Sequence, residues 1–168
     1  KKMVRDLILV RHAEAVDGMT GVKDIERELT SKGYRDAPRI GRYLYEQGFF
    51  PDMMLSSTAQ RARATAELLA EQLKYELDHI GFHEDLYNAS VRTLLNIVNE
   101  GKSNWNKMIL VGHNPAISYL SEYLTGGDTG NMVPAAFVHL QFELDDWAQV
   151  SAQTGVCISY KTPENTIF

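Results

Sequence analysis

Short, uniformly aliphatic runs along this chain alternate with longer segments in which apolar residues recur every three or four positions. The first run, Leu7-Ile8-Leu9-Val10, has no polar alternation, which predicts a central strand covered on both faces. Thr30 or Ser31 stands where a helix cap is needed, ahead of Ala37, Ile40, Tyr43 and Leu44 on one helical face. Pro38 predicts a local bend in that helix, and Gly48 a left-handed stop. After Pro51 comes a second strand, Met53-Met54-Leu55-Ser56, then a helix whose stripe is Ala62, Ala66, Leu69 and Leu73. A third strand is expected within residues 77–82. Ser90 caps a shorter helix bearing Leu94, Leu95 and Val98 before Gly101. Another aliphatic strand, Met108-Ile109-Leu110-Val111, runs into Gly112-His113-Asn114-Pro115. There Asn114 is expected as N-cap and Pro115 as the first helical residue, with Ile117, Leu120 and Leu124 facing inward. Residues 136–144 and 155–160 read as strands separated by a turn or short helix, and the Gly-rich residues 126–130 as a mobile loop.

Strands alternating with helices predict an α/β fold, a three-layer α/β/α sandwich with a mostly parallel central sheet. Its 168 residues fit a single domain, 1–168, large enough to bury a core without staples. The net charge of −5 argues against broad nucleic-acid binding, so any anion site must be local. No apolar run approaches about 18 residues, and Lys1, Lys2, Arg5 and Asp6 interrupt any signal-peptide core, so no membrane partner is expected. Cys157, the sole cysteine, cannot form an intrachain disulfide, which is compatible with a reducing cytoplasm, the expected location. It reads as buried filler rather than a nucleophile, for want of electropositive neighbours. Met53 and Met54 read as core, Arg63 as a solvated arginine, and His83 and His139 as structural or exposed.

Three segments carry polar or basic groups where a strand turns into a helix: Val10-Arg11-His12, Ser56-Ser57-Thr58-Ala59-Gln60-Arg61 and Val111-Gly112-His113-Asn114. Strand carboxyl ends in open α/β sheets share one edge, where ligands bind. Two arginines and two histidines meeting there make an anion pocket, to which the helix starting near Asn114 adds N–H groups. Guanidinium forks match phosphate oxygens, and an unprotonated imidazole nitrogen can attack phosphorus. No metal or cofactor is then required.

The segment Leu9-Val10-Arg11-His12-Ala13-Glu14-Ala15 resembles the nucleophile signature of the histidine phosphatase, or phosphoglycerate mutase-like, superfamily. Ser56-Ser57 with Arg61-Ala62 and Thr65-Ala66-Glu67 resembles its second phosphate-binding motif, and Val111-Gly112-His113-Asn114-Pro115 its second-histidine motif. The resemblance spans roughly residues 5 to 142. Ala13, where many members have glycine, is similar to the SixA-type phosphohistidine phosphatases, as is the stretch around Asp24, Arg27 and Gly33. The resemblance implies that His12 is the phosphorylated nucleophile and that Arg11, Arg61 and His113 bind the phosphoryl group, with Arg27 a further contact at the pocket mouth. Asp24 is open between orienting Arg27 and serving as a solvated loop acid.

Comparison with the mutase-like pattern ranks Glu84 first and Asp85 second as the general acid, although Asn88 replaces the glycine often found beyond Tyr87. A phosphohistidine substrate lessens the need for either. The favoured activity is hydrolysis of phosphohistidine in a phosphorylated protein, with small phosphomonoesters the alternative substrates. Mutase chemistry would need lid insertions for which the chain is short. A non-catalytic phosphate-binding module would not need His12, and a metal site at His12 and His113 would meet repulsion from the arginines. Oligomeric state is open.

Overall fold

A computed structural model describes residues 3–166 of the chain. Lys1 and Lys2, read above as N-terminal charges, and the last two positions of the span 1–168 lie outside the described residues. In chain order the elements are β1 (Met3–Arg11), α1 (Ser31–Glu46), β2 (Met53–Ser57), α2 (Gln60–Leu73), β3 (Gly81–His83) and α3 (Val91–Asn99). Then follow β4 (Lys107–Gly112), α4 (Ala116–Thr125), β5 (Phe137–Leu144) and β6 (Gly155–Lys161).

The strands form one sheet in the order β3-β2-β4-β1-β5-β6. β1, β2, β3 and β4 run parallel, β5 is antiparallel to β1, and β6 is antiparallel to β5. β1 is covered on both faces, which explains its unbroken aliphatic run. Ile8 and Val10 enter a core shared with Ala37, Ile40, Leu69 and Leu73 of α1 and α2. Leu7 and Leu9 enter the other, with Leu94 and Val98 of α3 and Ile117 and Leu120 of α4. Each fully buried leucine or isoleucine contributes about 1.5–3 kcal/mol relative to exposure. The three-layer sandwich with a mostly parallel sheet is therefore the fold of this chain.

The local signals act as their chemistry requires. Thr30 caps α1, its hydroxyl accepting from Gly33 N–H, and α1 runs on through Pro38. Ser90 caps α3 by accepting from Thr93 N–H. Gly48 follows α1 with φ +75°, which a glycine adopts without steric penalty. Gly33 is required for a different reason: a Cβ there would overlap the backbone carbonyl oxygen of Glu14. That close approach lets α1 pack directly beneath the chain leaving β1.

Four expectations are corrected. Residues 77–79 form a 3-10 turn, so the third strand is only Gly81–His83. α4 starts at Ala116 with Pro115 as N-cap, and no side chain caps it. Asn114 instead donates from Nδ2 to the Met132 carbonyl (2.9 Å) and accepts from Ser118 Oγ (2.7 Å). It therefore ties the helix start to the 126–134 loop. Cys157 is exposed, because β6 is an edge strand with only one sheet neighbour. Arg63 is not simply solvated, since its guanidinium stacks 3.8 Å from the centre of the Phe82 ring.

Candidate active site

β1, β2 and β4 end at the same edge of the sheet, and their parallel register decides what meets there. Arg11 lies opposite Gly112 and Val10 opposite Val111. Ser56 on β2 lies opposite Val111 on the other side of β4. The residues just beyond these positions, His12, Ser57 and His113, are thereby brought together. A cavity of about 510 Å³ opens at this edge, lined by Arg11, His12, Arg27, Arg61 and His113, with Asn114, Pro115 and Ala116 from the start of α4.

The two imidazoles have ring centres 5.2 Å apart with planes inclined by 57°. His12 Nδ1 lies 2.8 Å from the Ala13 carbonyl oxygen. A carbonyl only accepts, so Nδ1 carries the proton, and the neutral ring has its lone pair on Nε2. Burial lowers the His12 pKa from 6.5 to about 4, assisted by Arg61, Arg11 and Arg27 and opposed by the Ala13 bond. His113 shares a hydrogen bond of 2.8 Å between its Nε2 and Ser57 Oγ, which also accepts from Ala59 N–H. Its pKa falls to about 3, first through burial and then through His12 and the arginines. Both rings are therefore uncharged at neutral pH. The positive charge of the pocket comes from guanidinium groups.

Each arginine is held by a backbone carbonyl. Arg11 Nη1 donates to Met132 O (2.8 Å), Arg27 Nη1 to Val16 O (2.6 Å) and Arg61 Nη1 to Asp24 O (2.7 Å). A guanidinium has five N–H donors, so most remain for an anion. Thr65, one turn along α2 from Arg61, donates to the Arg61 carbonyl (2.7 Å) and accepts from Ala13 N–H (2.9 Å). It couples the helix bearing Arg61 to the backbone beside His12.

The expected site residues divide into two groups. Arg11, His12, Arg27, Arg61 and His113 converge on the cavity. Glu84 and Asp85 line an adjoining groove, which meets the cavity at Asn88 and Ala89. Both belong to the 3-10 turn 84–86 and neither lines the cavity, while the ring of the next residue, Tyr87, has its centre 5.6 Å from that of His113. Glu14 and Asp17 are the carboxylates that line the cavity itself. Glu14 Oε2 accepts from Thr30 Oγ1 at 2.7 Å. The identity of Glu14 inside the Arg11-His12 motif was its only sequence signal, and Asp17 had none. Among the described residues no three or more His, Cys, Asp or Glu side chains are grouped to hold a metal ion. No helix among them is long and apolar enough to cross a membrane.

A parallel sheet that gathers paired imidazoles and arginines at one edge defines a phosphoryl-binding class of α/β protein. The profile of the histidine phosphatase superfamily (branch 1) matches residues 7–92, half of the chain, and the chain belongs to that superfamily. It is 35% identical over 79 residues to the mitochondrial serine/threonine-protein phosphatase Pgam5 of Drosophila ananassae. That match covers 47% of this chain and 27% of Pgam5, so it spans about a quarter of that relative's length. An uncharacterised protein of Picosynechococcus is 29% identical over 132 residues, covering 75% of this chain and 76% of its own.

Among solved structures, a protein of Agrobacterium tumefaciens assigned as the phosphohistidine phosphatase SixA superposes with a TM-score of 0.80 at 25% identity, covering 95% of this chain and 98% of its own. The protein histidine phosphatase SixA complexed with tungstate superposes at 0.78 with 21% identity, covering 96% and 99%. The latter likeness is one of fold.

Proposed function

We propose that the protein is a metal-independent phosphatase that passes the phosphoryl group through His12, with phosphohistidine in proteins as its favoured substrate. The observation that carries this reading is the neutral His12 ring, its Nδ1 proton held by Ala13 and its Nε2 lone pair available in a cavity lined by three arginines. A lone pair is needed to attack phosphorus, and fixed positive charge is needed around the equatorial oxygens. Few other uses require both in one cavity.

In the first half-reaction Nε2 forms a bond to phosphorus as the bond to the leaving nitrogen or oxygen breaks, the leaving group taking that electron pair. Arg11, Arg61, Arg27 and His113 hold the phosphoryl oxygens through both halves. Water then attacks the phosphorus of phospho-His12, the phosphorus–nitrogen bond breaks with its electron pair returning to Nε2, and the water protons leave with the released phosphate. A histidine leaving group that is already protonated needs no general acid, which suits a cavity that Glu84 does not line. For an ester substrate a carboxyl would have to supply that proton, and Glu14 is the carboxyl set beside the nucleophile.

The likeness to SixA structures supports the phosphohistidine preference, and the partial match to Pgam5 makes phosphoserine and phosphothreonine the competing substrates. Rapid quench with a good phosphoryl donor should yield acid-labile, alkali-stable phosphate on His12. Rates over phosphohistidine protein, phosphoserine peptide, sugar phosphates and phosphoglycerate then rank the substrates. Phosphate release by His12→Ala within a few-fold of the parent would refute the mechanism. Isomer exchange of phosphoglycerate without phosphate release would identify a mutase instead.

A further inference from the structure

Asp24 lies in the excursion between β1 and α1, whose base is closed by the bridge between Ala15 and Leu29. Its carboxylate makes three hydrogen bonds to three separate parts of the chain. Oδ1 accepts from Arg27 Nε (2.9 Å), and Oδ2 accepts from Arg61 Nη2 (3.1 Å) and from the Tyr87 hydroxyl. Its backbone carbonyl takes Arg61 Nη1 as well. Arg61 Nε is buried without a partner among the described residues. The pair of bonds to Asp24 is therefore what sets the plane of the Arg61 guanidinium.

We propose that Asp24 is a positioning residue for phosphoryl transfer: one carboxylate, tethered by Tyr87, fixes the guanidinium groups of Arg27 and Arg61 toward the same anion before it arrives. The inference rests on the phosphatase reading given above and deepens it.

A negative charge beside a phosphate site carries an electrostatic cost, since it repels the substrate and offsets part of the arginine charge. The geometry supplies what compensates. Arg27 follows a 3-10 turn in a long excursion, where Val16 O holds its Nη1, and Arg61 lies in the first turn of α2, so the carboxylate of Asp24 is the group that ties the two forks to each other. Ordering an arginine side chain costs rotamer entropy. Bonds made in the free protein remove that cost from the substrate-binding and transition states. Asp24 itself stays ionised, held well below the usual carboxylate range by the Tyr87 hydrogen bond first and then by Arg27 and Arg61. It is thus a fixed acceptor and not a proton donor. Tyr87 also stands edge-on to His113 and 5.9 Å from the Arg61 guanidinium carbon. The tether therefore links the excursion, α2 and the segment after β3 around one side of the pocket.

The test is Asp24→Asn, which keeps the size and removes the charge and one acceptor, with Tyr87→Phe as a milder second variant. Positioning predicts a fall in kcat of about 10–100-fold in D24N, while inhibition by inorganic phosphate changes less than about 3-fold or tightens. Tyr87→Phe should lose about 3–10-fold, and the double variant should be no worse than D24N, because both act through one carboxylate. Arginine Nε–Hε NMR signals of Arg27 and Arg61 should be dispersed in the parent and collapse toward the free-arginine position in D24N. An unchanged kcat with tighter phosphate binding, or signals that do not move, would overturn the proposal and leave Asp24 as an opposing charge only. Should the parent release no phosphate from any donor, the phosphatase reading fails, and the NMR measurement still decides the role of Asp24.

Discussion

His139 on β5 and His12, just past the end of the neighbouring β1, occupy opposite electrostatic worlds. His139 on β5 hydrogen-bonds through Nε2 to Asp6 Oδ1 at 2.7 Å, and Gln141 donates to the same oxygen at 3.1 Å. Burial works to raise the Asp6 pKa, but those partners outweigh it and the net shift is downward. His12 has no carboxylate on its ring: a carbonyl holds one nitrogen and three arginines supply the charges that bear on it. A histidine beside a carboxylate is a structural partner. The same side chain, buried and then surrounded by cations, is kept neutral, as the nucleophile proposed above must be, and the surroundings rather than the residue type make the difference.

The largest effect expected from breaking this contrast is in His12→Asn, which should reduce phosphoryl-donor turnover at least about 1000-fold without unfolding the protein. His139→Asn should do the reverse, leaving turnover within about 2-fold while lowering stability in urea by about 1–2 kcal/mol, because buried Asp6 keeps Gln141 but loses the shorter of its two hydrogen bonds. Steady-state kinetics and denaturant melts on both variants check the pair. If His139→Asn were as inactive as His12→Asn, the division into structural and reactive histidines would be wrong.

Arg61→Lys comes next, with an expected loss of about 10–100-fold in kcat/KM. A lysine ammonium keeps the charge but cannot bridge the Asp24 carbonyl and carboxylate while also forking a phosphate. Full rescue by lysine would show that charge alone matters at this position.

Gly33→Ala tests the packing beneath the site. The added methyl meets the backbone carbonyl of Glu14, which cannot move aside cheaply, so a loss of about 1–3 kcal/mol in stability is expected in a denaturant melt. Kinetics should show reduced kcat as well, because Glu14 lies two residues from His12.

The smallest effect concerns pH. With His12 titrating at about 4 instead of 6.5, kcat/KM for a phosphoramidate donor should stay nearly level from pH 7 to about 5 and fall near 4, as Nε2 gains a proton. Stability follows from the same shift. The unfolded chain binds this proton at 6.5 and the folded chain only at about 4, so the folded state is favoured least on the acid side. Stability should therefore decline as pH is lowered from about 6.5 toward 4, and the slope should be shallower in His12→Asn. The Asp6 contribution has the opposite origin: its folded pKa lies below 3.8, so it persists across that interval and is lost only as pH falls further.

Much of the fold was legible because local chemistry and burial agree. An aliphatic run such as 7–10 has no polar face to show to water, and Thr30, Ser90 and Gly48 act over a few bonds. The weaker predictions failed where a distant contact overruled a local preference. Asn114 has the chemistry of an N-cap, yet its amide N–H goes to Met132, brought near as the chain returns toward β5, while its oxygen accepts from Ser118 one turn along α4. Cys157 has an apolar sequence neighbourhood but lies on a strand at the sheet edge.

The site shows the same division. Arg11, His12, Arg61 and His113 could be named from the linear text because each lies at or shortly after the end of a parallel strand, and such strands end at one edge; the helix expected directly after His12 is instead delayed to Ser31 by the excursion between β1 and α1. Residue order alone could not place Glu84 in the adjoining groove or bring Glu14 into the lining of the cavity, since that depends on where the excursion after β1 and the turn after β3 come to rest. Nor could it show that Asp24, Tyr87 and Arg61, separated by as many as 63 positions, share one carboxylate. Identity and spacing determine which groups are present and which elements carry them. Their mutual distances, and hence which nitrogen keeps a lone pair and which charge it feels, arise only when the chain is closed on itself.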